Sequence, residues 1–505
     1  MGESDMKNYR TELSQRVRYA IIAGMAGAFL IPQVGFAAPT GEHDYTAGVN
    51  VDRATANVTK ITSTETNNVI NWRDYSVKQG ELVQYDGGAQ TRNYLNIVTG
   101  ANTSNINGAI KGGNHVYIVN PNGVIFGKNA EVNVGHLHVS TQATSTVNTA
   151  ADMAHNVSPL DTSAGLSDVV NMGKDITANT VEVHGKNIRF LNAANVHTTN
   201  PVVLHTDTAN GGYAHIGYES GHVPAVTAYQ VNGANATAAD NYYQLVANKT
   251  EFQNINSDRT KNYMLEDNID FAGNALTPIA GTGTDFTGKF DGNFFKLQNF
   301  TITGGTYTAP FGKVSNSRIE NLGVTGATIT GDKTGNQDRW AGGIIGYATG
   351  TTIKNVYVTD TTVDGEAGQH GGIVGQTVGT TLDSVYSKAK VGEGGAVIGT
   401  SSAGTVISDT YSNSTKIVGT TGTELIYFID PSNGTTVKNT YVIGPRLATN
   451  ESGLSAAIAT NTYIVNKTTG KASKFKAAAS TGKSMTAAGT YDGFDINNDG
   501  APGAK

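Results

Sequence analysis

Gly350-Thr-Thr-Ile-Lys-Asn-Val-Tyr357 recurs downstream as Gly379-Thr-Thr-Leu-Asp-Ser-Val-Tyr386, Gly404-Thr-Val-Ile-Ser-Asp-Thr-Tyr411 and Gly434-Thr-Thr-Val-Lys-Asn-Thr-Tyr441. The four starts lie 29, 25 and 30 residues apart, and a weaker copy, Asn316-Ser-Arg-Ile-Glu-Asn-Leu-Gly323, begins 34 residues before the first. Three of the octamers follow a Gly-Gly pair with an apolar run: Gly342-Gly343-Ile344-Ile345-Gly346, Gly371-Gly372-Ile373-Val374-Gly375 and Gly394-Gly395-Ala396-Val397-Ile398-Gly399. A period of this length marks a solenoid, propeller or array. The β-branched runs span three to five residues, which suits the coils of a β-helix better than propeller blades.

One coil cannot bury its own apolar edge, so neighbours bury it together. Stacking predicts an interior column of Ile353, Leu382, Ile407 and Val437. It predicts a corner ladder of Asn355, Ser384, Asp409 and Asn439, small polar side chains that can bond along the stack. Tyr357, Tyr386, Tyr411 and Tyr441 should form an aromatic column, read first as packing and second as a platform for glycans.

Composition agrees with this reading. Of 505 residues, 62 are Gly and only 15% are charged, with Val, Ile, Tyr and Thr throughout. The Gly is not in triplets, which excludes collagen. The apolar anchors exclude disorder. A net charge of −6 argues against nucleic-acid binding, which needs a basic face. There is no Cys, as expected where an unfolded chain is threaded through a pore, or where a large core makes disulfides unnecessary.

Residues 1–37 read as a signal peptide for Sec and the periplasm. Lys7, Arg10, Arg16 and Arg18 make a basic region, an apolar run follows from Ala20 to Ile31, and Gly35-Phe36-Ala37 suits cleavage after Ala37. The run is too short to span a bilayer, and no later segment is apolar enough, so no membrane insertion of the mature chain is expected.

The N-terminal half carries a second signature. A Trp72 strand lies in Asn71-Trp72-Arg73-Asp74-Tyr75, and Asn93-Tyr94-Leu95-Asn96-Ile97-Val98-Thr99-Gly100 follows. Val116-Tyr117-Ile118-Val119 then runs into Asn120-Pro121-Asn122-Gly123, a tight turn before Val124-Ile125-Phe126-Gly127. Beyond it, Val181-Glu182-Val183, Ile188-Arg189-Phe190 and Val202-Val203-Leu204 are short strands at irregular spacing.

This stretch, about Asp44 to Ile255, resembles the secretion domain of two-partner-secreted exoproteins of the filamentous-haemagglutinin-like family. The resemblance rests on the Trp72 strand, Asn96 to Gly100 and the Asn120–Gly123 turn. It implies a right-handed parallel β-helix recognised in the periplasm by an outer-membrane TpsB-type transporter through its POTRA domains. A single Asn-Pro-Asn is more similar to the branch of high-molecular-weight adhesins, which bears on the subtype of pore. The turn is read first as folding the β-helix and second as touching the pore. The downstream repeats, about Tyr263 to Val442, resemble the GLUG motif of surface and adhesin proteins.

Catalytic chemistry is not evident. The 11 His form no ligand set at metal spacing, so no metal and no cofactor are expected; His136 and His138 share a strand face and read as a surface pair. No nucleophile elbow and no phosphate loop occur. Asp270, Asp285 and Asp291 are candidates for carboxylates assembled across coils, although Asp291-Gly292 reads first as a hairpin-type turn. Asp495-Ile496-Asn497-Asn498-Asp499-Gly500 matches half of a calcium loop and reads first as a solvated tail.

The expected architecture is all-β. A signal peptide (1–37) precedes a secretion-domain β-helix (38–255), continued by a GLUG-repeat β-helix (256–445) and an irregular tail or linker (446–505). The expected role is a secreted or cell-surface adhesin that meets a host-cell, glycan or matrix receptor. A polysaccharide-active enzyme and a structural matrix protein remain as the alternatives.

Overall fold

A computed structural model describes residues 38–86, 92–147, 165 and 167–443, with breaks at 172, 192, 226, 333–338, 366–369, 393, 418–423 and 430–433. It also describes 462–466, 471–474 and 482–484. The signal peptide and the calcium-like segment lie outside the described residues. Among those described, no helix is long and apolar enough to cross a membrane. The chain divides into two compact units between Leu245 and Val246, somewhat before the expected boundary at 255.

Both units are parallel β-helices. In the first, Val58–Thr62, Leu82–Tyr85, Ala109–Val119, Glu131–Ser140, Thr180–His184 and Val202–His205 are successive parallel neighbours. A second ladder runs Ser104–Ile106, Val124–Phe126, Val169–Asn171, Asn187–Phe190 and Tyr213–Tyr218. Alternate side chains point inward and like stacks on like. Val83, Ile110, Val132 and Ile176 form one buried column, and Val124, Val169, Ile188 and Ala214 another. Burial of this kind contributes about 25 cal/mol per Å² of apolar surface. The first coil is capped rather than left open. Asn50–Asp52 pairs antiparallel with Val58–Thr62, and Thr40 and His43 bridge antiparallel to Asp74 and Asn71. Such a cap protects a sheet end that would otherwise template pairing with another chain.

The unit beginning at Val246 holds a short helix, Lys249–Asn254, capped by the Asn248 side chain, and then the repeats. Ile319, Ile353, Leu382, Ile407 and Val437 share one register position on consecutive coils and are all fully buried. Phe311, Ile345, Val374, Ile398 and Ile426 make a parallel column on another wall.

The octamer is two left-handed corners around a short strand. Its first residue, Gly350, Gly379, Gly404 or Gly434, has φ of 55°, 54°, 73° or 56°. Its sixth, Asn355, Ser384, Asp409 or Asn439, has φ of 53°, 58°, 51° or 49°. Gly enters this region freely, and Asn and Asp enter it more readily than other residues. The Gly-Gly pairs answer a different need. A Cβ on Gly342, Gly371 or Gly395 would lie 1.9, 2.2 or 1.7 Å from the carbonyl oxygen of Ile345, Val374 or Ile398.

Three expectations are corrected. The repeat strands are not all three to five residues long: Thr352–Asp364 and Thr381–Val391 have 13 and 11, because rung-to-rung pairing persists through the left-handed residues. Asp291-Gly292 is not a hairpin: Lys289–Asp291 pairs parallel with Arg318–Glu320, and the chain turns through Asn293 and Phe294 at positive φ. The region after 445 is not wholly irregular. Tyr463–Asn466 stacks parallel on Tyr441–Ile443, and Lys471–Lys474 and Gly482–Ser484 follow antiparallel. Tyr463-Ile464-Val465 has the β-branched and aromatic character that favours a strand.

Candidate functional site

The Asn120–Gly123 turn connects Ala109–Val119 to Val124–Phe126, two strands that belong to different walls of the coil. A buried corner must satisfy its own polar groups, since water cannot reach them. Asn120 is fully buried and does most of this. Its Nδ2 donates to the Asn102 carbonyl and to Ser104 Oγ, both at 2.9 Å, and its Oδ1 accepts from the Asn122 backbone N–H at 2.9 Å. The Gly123 N–H closes on the Asn120 carbonyl at 3.0 Å. Asn122 Nδ2 donates to the Gly100 carbonyl at 2.9 Å, and Ser167 Oγ donates to the Pro121 carbonyl at 2.6 Å. Gly123 sits at φ 108°, which a side chain rarely adopts.

The other residues that sequence singled out meet the same network. Trp72 and Asn96 are fully buried, and the indole N–H donates to Asn96 Oδ1 at 3.0 Å. Asn96 Nδ2 donates to the Tyr117 carbonyl at 2.9 Å, on the strand that leads into the turn. Gly100 leaves no room for a side chain, because a Cβ there would lie 2.0 Å from the Arg73 carbonyl oxygen. Trp72, Asn96, Gly100, Asn120, Pro121, Asn122 and Gly123 are thus one connected piece of three successive coils. Gly100, Pro121 and Asn122 are half-buried, and the other four are buried.

The corner ladder of the repeats is bonded in part. Asn321 donates to Asp291 at 2.9 Å, Asn355 to Asn321 at 2.8 Å and Asn439 to Asp409 at 3.1 Å. Ser384 turns to its neighbour Asp383 instead, its side chain being too short to reach the next coil. Tyr357, Tyr386, Tyr411 and Tyr441 occupy one register position, with the Tyr386 and Tyr411 rings stacked at 5.4 Å. Tyr411 and Tyr441 are buried, so this column packs and offers no continuous face to a glycan. Asp270, Asp285 and Asp291 each have local partners: Asn299 and Gln298, Lys313 and Ser315, and Asn293 and Asn321.

Sequence reading did not bring Glu182, His184 and His205 together. Glu182 and His184 share a strand face, and His205 is the register partner of His184 on the next coil. Three imidazoles bond the Glu182 carboxylate and hold it far below the usual carboxylate range. The signal available in the sequence was Glu-x-His, with a lone His 21 residues on. Only the coil length makes that spacing meaningful.

Residues 36–223 match the family model of the TPS secretion domain, so the N-terminal unit carries the secretion module of two-partner-secreted exoproteins. The chain is 31% identical over 94 residues to the heme/hemopexin-binding protein of Haemophilus influenzae, and 36% identical over 73 residues to its counterpart in strain KW20. Those matches cover 19% and 14% of this chain and 10% and 8% of those proteins, so the matched stretches span about a tenth of the curated relatives. Among solved structures, the HMW1 secretion domain of H. influenzae aligns at 14% identity and TM-score 0.26 over 84% of this chain and 99% of that one. A Bacteroides ovatus protein designated a candidate immunoglobulin A1 protease aligns at 23% identity and TM-score 0.38, over 47% of this chain and 78% of that one.

Proposed function

We propose that the chain is a two-partner-secreted adhesin. Its N-terminal unit is the export module, handed from Sec through the periplasm to a TpsB-type outer-membrane transporter with POTRA domains. Its repeats, which resemble GLUG motifs, display a binding surface to a host-cell, glycan or matrix receptor. The observation that carries the export reading is the closed network of Trp72, Asn96, Gly100 and Asn120–Gly123, within the residues matched by the secretion-domain model. Since Asn120 is buried and its amide is fully used, the turn acts by folding the module, and recognition falls to exposed surface that this fold arranges. Each coil adds burial energy as it emerges outside the cell, which helps make export one-way.

The test co-expresses the chain with its transporter and follows secretion of Asn120→Ala and Pro121→Ala variants, each also purified for denaturant unfolding. Asn120→Ala leaves Ser104 and the Asn122 N–H without their partner and should cost about 2–3 kcal/mol, with secretion falling in step. Asn120→Ala lost from secretion at wild-type stability would instead make the turn a direct contact. The display reading is tested by binding of the full chain to cells and glycan arrays. Release of reducing sugars from polysaccharide would favour an enzyme, and self-association without receptor binding a matrix protein.

A further inference from the structure

Three coils of the N-terminal unit bring one carboxylate and three imidazoles to a single point on their outer face. The strands are Glu131–Ser140, Thr180–His184 and Val202–His205, in parallel register with His138 opposite Glu182 and His184 opposite His205. Residues two apart on a strand share a face, so Glu182 and His184 point outward together, away from the buried Val181 and Val183. Glu182 Oε1 lies 3.0 Å from His184 Nε2 and 3.5 Å from His205 Nε2, and Glu182 Oε2 lies 3.0 Å from His138 Nδ1.

We propose that Glu182, His184 and His205 form a binding site for a divalent transition ion of the zinc class, with His138 as the residue that orients the carboxylate. The donor set, two imidazole nitrogens and one carboxylate oxygen, is one that zinc takes at catalytic-type sites with a fourth position open. The size also fits. A tetrahedral ion with bonds of about 2.0–2.1 Å has ligand atoms roughly 3.3 Å apart, and the two oxygen-to-nitrogen separations here straddle that value. The three ligand atoms all lie within 4.8 Å of one another.

His184 is 1% exposed and commits its Nε2 to the Glu182 carboxylate, so a buried imidazole is aimed at the point where the ion would sit. The site is also buttressed. The His184 and His205 rings stack at 4.4 Å, and His138 stacks on Tyr117 at 4.3 Å, so three of the four side chains are held in place before any ion arrives. The Glu182 and His205 side chains are 26% and 21% exposed, which leaves an entry from solvent and a place for a water as fourth ligand. A bound ion would clamp consecutive coils across their outer wall.

The experiment titrates the purified full chain with zinc against a fluorescent chelator, and with cobalt(II) in the visible. The expected result is one zinc per chain with a dissociation constant of micromolar or below, and cobalt bands of a four-coordinate ion. Glu182→Gln and His205→Gln, both at part-exposed side chains, should weaken zinc at least tenfold, and the exposed His222→Gln should leave it unchanged. Absence of saturable zinc binding by the wild-type chain overturns the site without recourse to any variant. So does a natively folded Glu182→Gln chain, judged by circular dichroism, that binds zinc as the wild type does.

Discussion

The two units turn their corners by different means. Among the described residues, the unit after Leu245 places thirteen non-glycine residues at positive φ, six of them Asn, whereas the N-terminal unit places three. In the repeats the corner is a backbone conformation, used again on each coil. In the N-terminal unit the corner at Asn120–Gly123 is a side-chain network that occurs once, with each amide committed to a particular carbonyl or hydroxyl. A repeated backbone corner tolerates replacement by any residue that enters the left-handed region. A unique network tolerates almost none, because each loss leaves a buried partner unsatisfied. Coils built on the first kind can vary, and a secretion module built on the second is held to one shape.

The contrast can be broken most forcefully at Trp72. Trp72→Ala opens a large cavity and strands Asn96 Oδ1, and should cost about 3–5 kcal/mol, seen as an early urea transition of the N-terminal unit alone. A loss spread over both units would mean that they unfold together. Gly371→Ala comes next, at about 3 kcal/mol, because the new methyl meets the Val374 carbonyl; the same change at the open Gly434 should do far less through sterics. Asn355→Ala should cost about 1 kcal/mol for forcing alanine left-handed, and Asn355→Gly less, by urea midpoint. An Asn355→Gly loss as large as that of alanine would show that the side-chain ladder, and not the backbone, sets the corner.

The smallest effect concerns the N-terminal cap. Arg53 clasps the Glu42 carboxylate at 2.6 and 2.8 Å and reaches the Pro39 carbonyl, which holds Glu42 below its ordinary range. A carboxyl lowered in the folded state binds its proton first in the unfolded chain. The pair therefore contributes fully above the unfolded pKa, and its contribution fades as pH falls through the lowered folded value. For a pair near the surface that contribution is at most about 1 kcal/mol. The urea midpoints of wild type and Glu42→Gln should differ at pH 6 and converge by strongly acid pH. A gap that widens on acidification would contradict the assignment.

Much of the repeat unit was legible because one coil predicts the next. Gly recurs at the first position of every octamer and a small polar residue, Asn, Ser or Asp, at the sixth, and a left-handed residue is costly enough to restrict what sequence can occupy it. The long strand Thr352–Asp364 was not legible, because continuing to pair through a corner depends on the neighbouring coil. In the N-terminal unit, Trp72, Asn96 and the Asn120–Gly123 turn were visible as motifs, and their mutual bonds were not. The tyrosine column was legible as a register, but not that Tyr411 and Tyr441 would be covered.

By itself the sequence determined a stack of short β-strands, the residues that line its core, and the turn at which its export module is built. Those are local or periodic properties, set by alternation, by glycine and asparagine at corners and by repetition. Only the tertiary structure decided that Glu182, His184 and His205 would meet, and that Asn122 would reach Gly100. Parallel register converts a separation of some 20 residues along the chain into adjacent rungs, about 4.8 Å apart. The number of residues spent in each intervening turn fixes that register, and no single stretch of sequence states it.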